Sequence, residues 1–168
     1  VTTPTPTALE FLKKYGLKTP SMAVTNGIDT KVFKPSPKSI KIAKKYKIKS
    51  KPTILYLGRV DGEKRIDIII KALAELTKTI DCQLVIAGFG NAMEDLKKLS
   101  TNLGVGNNVV FTGFIDESDK PAMYNLSDLF VISSPAELQS IVTLEAMASA
   151  KPIVAVDVAA LHELVHNG

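Results

Sequence analysis

The sequence predicts a doubly wound α/β fold, a parallel sheet covered by helices on both faces. Three observations lead there. From residue 52 onward, short apolar runs rich in Ile and Val recur at regular intervals. None alternates cleanly with polar residues, as expected of strands buried on both faces. Between the runs lie segments whose apolar residues repeat at helical spacing, and the order strand, helix, strand, helix is what right-handed crossovers wind onto a parallel sheet.

The elements follow in order. Thr7–Tyr15 reads as a helix, with Pro4 and Pro6 ahead of it and Gly16 as its stop. Met22–Thr25 is a short strand and Asn26-Gly27 a turn. Lys34-Pro35-Ser36-Pro37 reads as a linker and Lys38–Tyr46 as a short basic helix. The sheet then begins, with strands expected at Thr53–Leu57, Gln83–Ala87, Asn108–Phe111, Leu129–Ser133 and Pro152–Val156. The clearest helix between them is Arg65–Thr77, where Ile66, Ile69, Ile70, Leu73 and Leu76 share one face. Met93–Leu103 and Ile141–Ala150 follow the same pattern, and Met93, Met123 and Met147 fall at helical positions expected in the core. Ligands of such sheets sit at the carboxyl ends of the strands, so functional residues are expected just after each apolar run.

Composition excludes several classes. Hydrophobic residues at 45% and charged residues at 23% suit a globular domain rather than a disordered chain. No apolar run approaches the ~20 residues of a membrane-spanning helix. Cys82 is the single cysteine, which rules out an internal disulfide framework and reads as a buried small hydrophobe. No signal peptide is visible, so a cytoplasmic location is expected, and the chain reads as a piece of a longer protein. The charge is uneven: residues 1–51 hold 12 lysines against Glu10 and Asp29, while the remainder is net acidic. A lysine-rich solvated face, an anionic membrane surface or an acidic partner each fits this asymmetry. With no Trp and no aromatic platform among the lysines, nucleic acid is not an expected partner.

Two constellations could carry chemistry. Gly58-Arg59-Val60-Asp61-Gly62-Glu63-Lys64 follows the first strand of the sheet directly. Gly58 permits a sharp turn, while Arg59 and Lys64 at a helix start suit a diphosphate. Arg59 could equally pair with Asp61 or Glu63 in an ordinary surface loop. The second is Glu137 to Glu145, after the fourth strand and its Ser133-Ser134-Pro135 turn. A carboxylate there can accept two hydrogen bonds from a vicinal diol, as in ribose or a hexose. The alternative is an acidic residue complementing a helix dipole.

Several motifs occur in order: Asn26-Gly27-Ile28-Asp29, Gly58-Arg59 with Glu63-Lys64, Gly88-Phe89-Gly90, Phe111-Thr112-Gly113-Phe114, and Glu137 to Glu145 running on into Ala146–Pro152. Together, over nearly the whole chain, they resemble the C-terminal, donor-binding lobe of group 1 glycosyltransferases, retaining enzymes with the two-lobed GT-B fold. The resemblance implies a Rossmann-like lobe over 38–168, truncated at its C-terminus, with 1–37 as the end of an acceptor lobe and the linker. It implies a UDP-, GDP- or ADP-linked sugar as donor. Arg59 and Lys64 would hold the diphosphate, with Gly58 letting the backbone approach it closely, and Glu145 would bind the ribose hydroxyls. Glu137 would lie by the donor sugar as the catalytic carboxylate. Backbone near Phe114 and Ile115 would line the base pocket, and Gln139, Ser140 and Ile141 would present N–H groups to the phosphates and sugar.

These enzymes typically need no metal or other cofactor, and no Asp-x-Asp pair follows a strand here. Gln139-Ser140 stands where many members have Phe-Gly or Gln-Gly, so Ser140 brings a side chain to where the sugar approaches. Ala150 replaces a common Gly, and Ala159-Ala160 replaces Gly-Gly, which implies a loop restricted from positive φ. The Glu-Leu-Gln-Ser sequence resembles members that glycosylate membrane lipids, which agrees with a peripheral seat on the inner face of a membrane. The acceptor would be a lipid or glycan, met through the missing N-terminal lobe.

Three other readings remain. A non-catalytic nucleotide-sugar-binding lobe or a sugar-nucleotide epimerase lobe would share the fold. His162-Glu163-Leu164-Val165-His166 fits the H-E-x-x-H zinc pattern, but with no further His in the chain a third ligand is missing, so zinc hydrolysis is disfavoured.

Overall fold

The computed structural model describes residues 1–166. Two short strands, β1 (Thr2–Thr3) and β2 (Met22–Ala23), pair in parallel and are joined by helix α1 (Pro6–Lys14). Thr5 caps α1 by accepting from the Ala8 N–H at 3.2 Å, and Pro6 occupies the first helical position, where its missing N–H is no loss. Helix α2 (Ile40–Lys45) opens on a Ser39 cap.

A five-stranded parallel sheet follows, built from β3 (Thr53–Leu57), β4 (Gln83–Ala87), β5 (Val109–Gly113), β6 (Leu129–Ile132) and β7 (Ile153–Ala155). Helices α3 (Ile66–Leu76), α4 (Met93–Asn102), α5 (Lys120–Leu126), α6 (Ile141–Ala148) and α7 (Leu161–Leu164) connect or follow them. The strand order is β5-β4-β3-β6-β7 with every pairing parallel, so the sheet grows outward in one direction from β3 and then in the other. This is the doubly wound arrangement that the sequence predicts.

The absence of polar alternation has a direct packing cause. In β3, Leu55 and Leu57 face one layer with Phe130, Met123, Tyr124 and Ala146. Tyr56 faces the other, with Leu84, Ile86 and the apolar stripe Ile66, Ile69, Ile70 and Leu73 of α3. Side chains of period two therefore feed two separate cores, and both sets must be apolar.

The differences from expectation are local. The third strand of the sheet starts at Val109 rather than Asn108, whose side-chain amide instead donates to the Cys82 carbonyl at 2.8 Å. Arg65 is not the first helical residue: it takes a left-handed conformation, φ 53°, between a 3₁₀ turn at Gly62–Lys64 and α3. Met147 is exposed, whereas Met123 is fully buried. Ala150 and Ala159 adopt positive φ (52° and 50°) despite their side chains, so the expected restriction does not hold. Each alanine bears a backbone cost of ~1–2 kcal/mol that glycine would avoid.

Candidate functional site

The sheet order reverses between β3 and β6, which are neighbours in the sheet but not in sequence. Such a switch point leaves a crevice beyond the carboxyl ends of the two strands. The loops after β3 (58–64) and after β6 (133–140) face each other there. The Ser133 hydroxyl lies 2.8 Å from the Lys64 carbonyl and 2.9 Å from that of Arg65, which ties the loops together. The Tyr56 hydroxyl donates to the Arg59 carbonyl at 2.7 Å and holds the first loop from beneath. Gly88 closes the neighbouring strand so tightly that a Cβ there would lie 1.8 Å from the Gly58 carbonyl oxygen. Its φ of 142° also favours glycine.

Charged residues from both predicted constellations, Lys64 and Glu137, meet at this crevice. Lys64 Nζ donates to Glu137 Oε1 at 2.8 Å, with Ser134 Oγ 3.4 Å away. Both side chains of the pair are largely buried, 13% and 16% exposed. Arg59 is exposed and its guanidinium is held by two carboxylates, Asp61 and Glu63, each at 2.6 Å. The surface-loop pairing left open by the sequence is therefore present, and it presets the direction of the guanidinium. Burial, followed by the Glu137 charge, pushes the Tyr56 phenol well above its ordinary range, so it remains a donor.

The start of α6 forms the other wall. Ser140 has φ 51°, and its hydroxyl is paired with Thr143 Oγ1 at 2.7 Å. The side chain is thus turned onto the helix rather than offered to a ligand. Thr143 N–H and Leu144 N–H bond to the Ser140 carbonyl, so Ile141 and Val142 supply the N–H groups that a helix start leaves unbonded. The buried side-chain amide of Gln139 is engaged by the chain's first segment. Asn26 donates to Gln139 Oε1 from its backbone N–H (2.9 Å) and its side chain (2.6 Å), and Gln139 Nε2 donates to Thr25 Oγ1.

Glu145 lies in the second turn of α6 and is only 6% exposed. No acidic residue occupies the first turn of that helix, so the dipole reading does not apply. Instead Glu145 Oε2 accepts from the Tyr124 hydroxyl at 2.6 Å. Burial raises the Glu145 carboxyl above its usual range, and the Tyr124 bond and the Lys120 charge oppose that rise.

Two cavities occupy the crevice. The larger, about 500 Å³, is bordered by Gly58, Arg59, Lys64, Glu137, Ser140 and Ile141. The smaller, about 210 Å³, lies under Phe89 and Phe114 and beside Ile115, Glu117 and Lys120. They share Leu57, Gly58, Arg59 and Val142, so they form one groove. A cavity of about 670 Å³ lies at the opposite end of the sheet among Lys38, Lys44, Lys49 and Lys51. It exceeds either cavity of the groove in volume, but it brings together none of the crevice residues.

The H-E-x-x-H sequence does not form its expected arrangement. α7 ends at Leu164 and Val165 is extended, so His162 and His166 do not share a helix face. Glu163 Oε1 accepts from the Thr7 backbone N–H at 2.7 Å and from its hydroxyl. Among the described residues no three His, Cys, Asp or Glu side chains cluster as metal ligands, and no helix is long and apolar enough to cross a membrane.

The family described as "Glycosyl transferases group 1" matches residues 38–168. An alpha-D-kanosaminyltransferase from Streptomyces kanamyceticus is 40% identical over 128 residues, 76% of this chain and 33% of that protein. An alpha-monoglucosyldiacylglycerol synthase from Streptococcus pneumoniae is 32% identical over 154 residues, 87% of this chain and 34% of that protein. The chain therefore spans about a third of the length of these relatives. The crystal structure of Anabaena HepE in complex with UDP and glucose superposes on it with a TM-score of 0.84 at 27% identity, covering 100% of this chain and 47% of that one.

Proposed function

The chain belongs to the group 1 glycosyl transferases, and from that premise we propose that it is the sugar-nucleotide-binding lobe of a retaining glycosyltransferase. The observation that carries this reading is the Lys64–Glu137 pair, facing the larger cavity at the switch point of the sheet. A cation beside a carboxylate, both mostly shielded from water, is what a sugar diphosphate requires: positive charge for the departing phosphate and negative charge for the anomeric carbon.

In this reading the nucleoside diphosphate lies along the groove. The base enters the smaller cavity between Phe89 and Phe114, next to the backbone at Ile115, and the phosphates reach Arg59, Lys64 and the free N–H groups of Ile141 and Val142. Arg59 then exchanges its carboxylate partners for phosphate oxygens, and Gly58 allows the close approach. Glu145 accepts the ribose diol. The sugar occupies the larger cavity against Glu137, whose charge stabilises the positive charge that develops as the glycosidic bond breaks. Arg59 and Lys64 supply the phosphate's counter-charge, so the reading needs no metal.

Residues 1–37 would end the acceptor lobe and form the linker, and 38–168 would form the donor lobe. The hydrogen bonds between Gln139 and Thr25 and Asn26 dock this first segment onto the wall of the site. The UDP and glucose of the Anabaena structure support a sugar-nucleotide donor, and the pneumococcal relative supports a lipid acceptor. For a peripheral seat on an anionic membrane, the relevant lysines are Lys41, Lys44, Lys47 and Lys49. Lys38 and Lys45 are already paired with Asp128 and with Asp116 and Asp119.

Kinetics of two variants in the natural full-length protein test the reading. Glu145→Ala should raise the donor KM with kcat nearly unchanged, because ribose is held alike before and during reaction. Glu137→Ala should lower kcat by ~10²-fold or more. Near-normal turnover of Glu137→Ala would remove its assigned role.

A further inference from the structure

Glu145 carries a feature that its proposed contact with ribose does not by itself explain. It is almost completely enclosed, yet only one of its two oxygens has a protein partner. Oε2 accepts from Tyr124 at 2.6 Å, and no described group bonds Oε1. Among the fully enclosed side-chain polar atoms of the described residues, only Ser149 Oγ lacks a partner. Oε1 therefore keeps a solvent-accessible face. The charges that act on Glu145 besides Tyr124 are Lys120 and Glu117, and both border the smaller cavity. Val142, three residues before Glu145 on the same face of α6, lines both cavities.

Tyr124 is built to hold the other oxygen still. It is fully buried in α5, with its ring packed between Phe33 (centroids 6.0 Å apart) and Phe130 (5.8 Å). Its hydroxyl also lies 3.1 Å from the Val142 carbonyl, which belongs to the helix that bears Glu145. A phenol has a single proton, and the charged oxygen at the shorter distance takes it.

We infer that Tyr124 is a positioning residue of the donor site: it pins Oε2 of Glu145 and thereby presents Oε1 to the two ribose hydroxyls of the nucleotide. The inference rests on the ribose contact proposed above for Glu145. Without the Tyr124 hydroxyl two things change. The carboxylate is free to rotate away from the cavity, and burial is no longer opposed by that bond, so the neutral acid becomes easier to form. Protonation leaves one fewer acceptor for the diol. Lys120 still favours the charged form and Glu117 disfavours it.

The test uses the natural full-length protein, with UDP or GDP, whichever binds, and the matching 2′,3′-dideoxynucleotide. The quantity read is the ratio of the two dissociation constants, which isolates the ribose hydroxyls. Glu145→Ala should bring the ratio close to one. Tyr124→Phe, which keeps the ring packing, should lower the ratio roughly tenfold, raise the donor KM and leave kcat unchanged. The ratio in Tyr124→Phe should also recover as the pH is raised, a response that loosened packing alone would not give. A wild-type ratio in Tyr124→Phe, with the ratio abolished in Glu145→Ala, overturns the role of Tyr124. A wild-type ratio in Glu145→Ala overturns instead the ribose contact on which it rests. Should Tyr124→Phe fail to fold, 3-fluorotyrosine at position 124 keeps the packing and makes the phenol a stronger donor. The ratio must then rise, and an unchanged ratio overturns the inference.

Discussion

Substituting Gly88 by alanine acts on the site through backbone alone. The new Cβ would lie 1.8 Å from the Gly58 carbonyl oxygen and 2.9 Å from its carbonyl carbon, and both obstacles are main chain that no rotamer change can move. The residue would also keep a φ of 142°. Forced backbone displacement in a packed region costs ~1–3 kcal/mol, and a non-glycine residue in a sparsely populated conformation costs a further ~1–3 kcal/mol. A combined loss of about 4 kcal/mol follows from these two terms. For a chain of this size each kcal/mol lowers Tm by ~2–4 °C, so thermal unfolding followed by circular dichroism should show a drop of roughly 12 °C. Gly27→Ala is the control, because nothing lies within 4 Å of a Cβ there. Its Tm should stay within about 2 °C of wild type. The same Gly88→Ala protein, kept below its Tm, should bind nucleotide more weakly, because the displaced carbonyl belongs to the loop proposed above to hold the phosphates. A Gly88→Ala variant that melts within about 2 °C of wild type would refute the close-approach argument.

Three further outcomes follow from the site and its surroundings. Lys64→Ala leaves the mostly buried Glu137 without its cation and should destabilise the protein by about 2 kcal/mol in urea titrations, below the range for a fully buried pair; adding Glu137→Gln should restore at least half of that, and no recovery would mean that the pair is not coupled. Glu145 has its folded-state pKa raised above the ordinary 4.5, chiefly by burial, so the folded protein holds its proton more tightly than the unfolded chain. Its contribution to stability is therefore lost as the pH rises from that value through the raised one, and Glu145→Gln should gain in Tm relative to wild type across that window; a Tm difference independent of pH would contradict the burial argument. In the full-length protein, replacing Lys41, Lys44, Lys47 and Lys49 by glutamine should abolish low-salt sedimentation with phosphatidylglycerol vesicles, while wild-type binding that ignores lipid charge would leave these lysines as a solvated face.

Much of this architecture could be read before the structure, because a buried parallel strand is a local signal. Five apolar runs located five strands to within two residues, since each strand had to feed two apolar layers. The crevice residues Arg59, Lys64 and Glu137 were legible because they follow those strands directly. What escaped depends on pairings across long stretches of chain. The Lys64–Glu137 bridge joins residues 73 positions apart, and Gln139 meets Asn26 across 113. No spacing rule reports either contact. α5 has only seven residues and begins beside Pro121, so it carries too little periodicity to bound from sequence, and the Tyr124 contact with Glu145 was hidden with it. The positive φ of Ala150 and Ala159 escaped for the opposite reason. There the surrounding fold overrides a local preference of ~1–2 kcal/mol that the sequence states correctly.

The central claim, that this lobe holds a sugar nucleotide by its diphosphate, is tested most directly by calorimetric titration of UDP- and GDP-sugars into the natural full-length protein and its Arg59→Ala and Lys64→Ala variants. A charge-assisted contact to phosphate contributes ~1.5–3 kcal/mol, and both cations must first release internal carboxylates, so the low end applies. The account predicts roughly tenfold weaker binding for each variant, with its fold intact. Unchanged affinity in both folded variants, for a nucleotide sugar that the wild type binds, would contradict it.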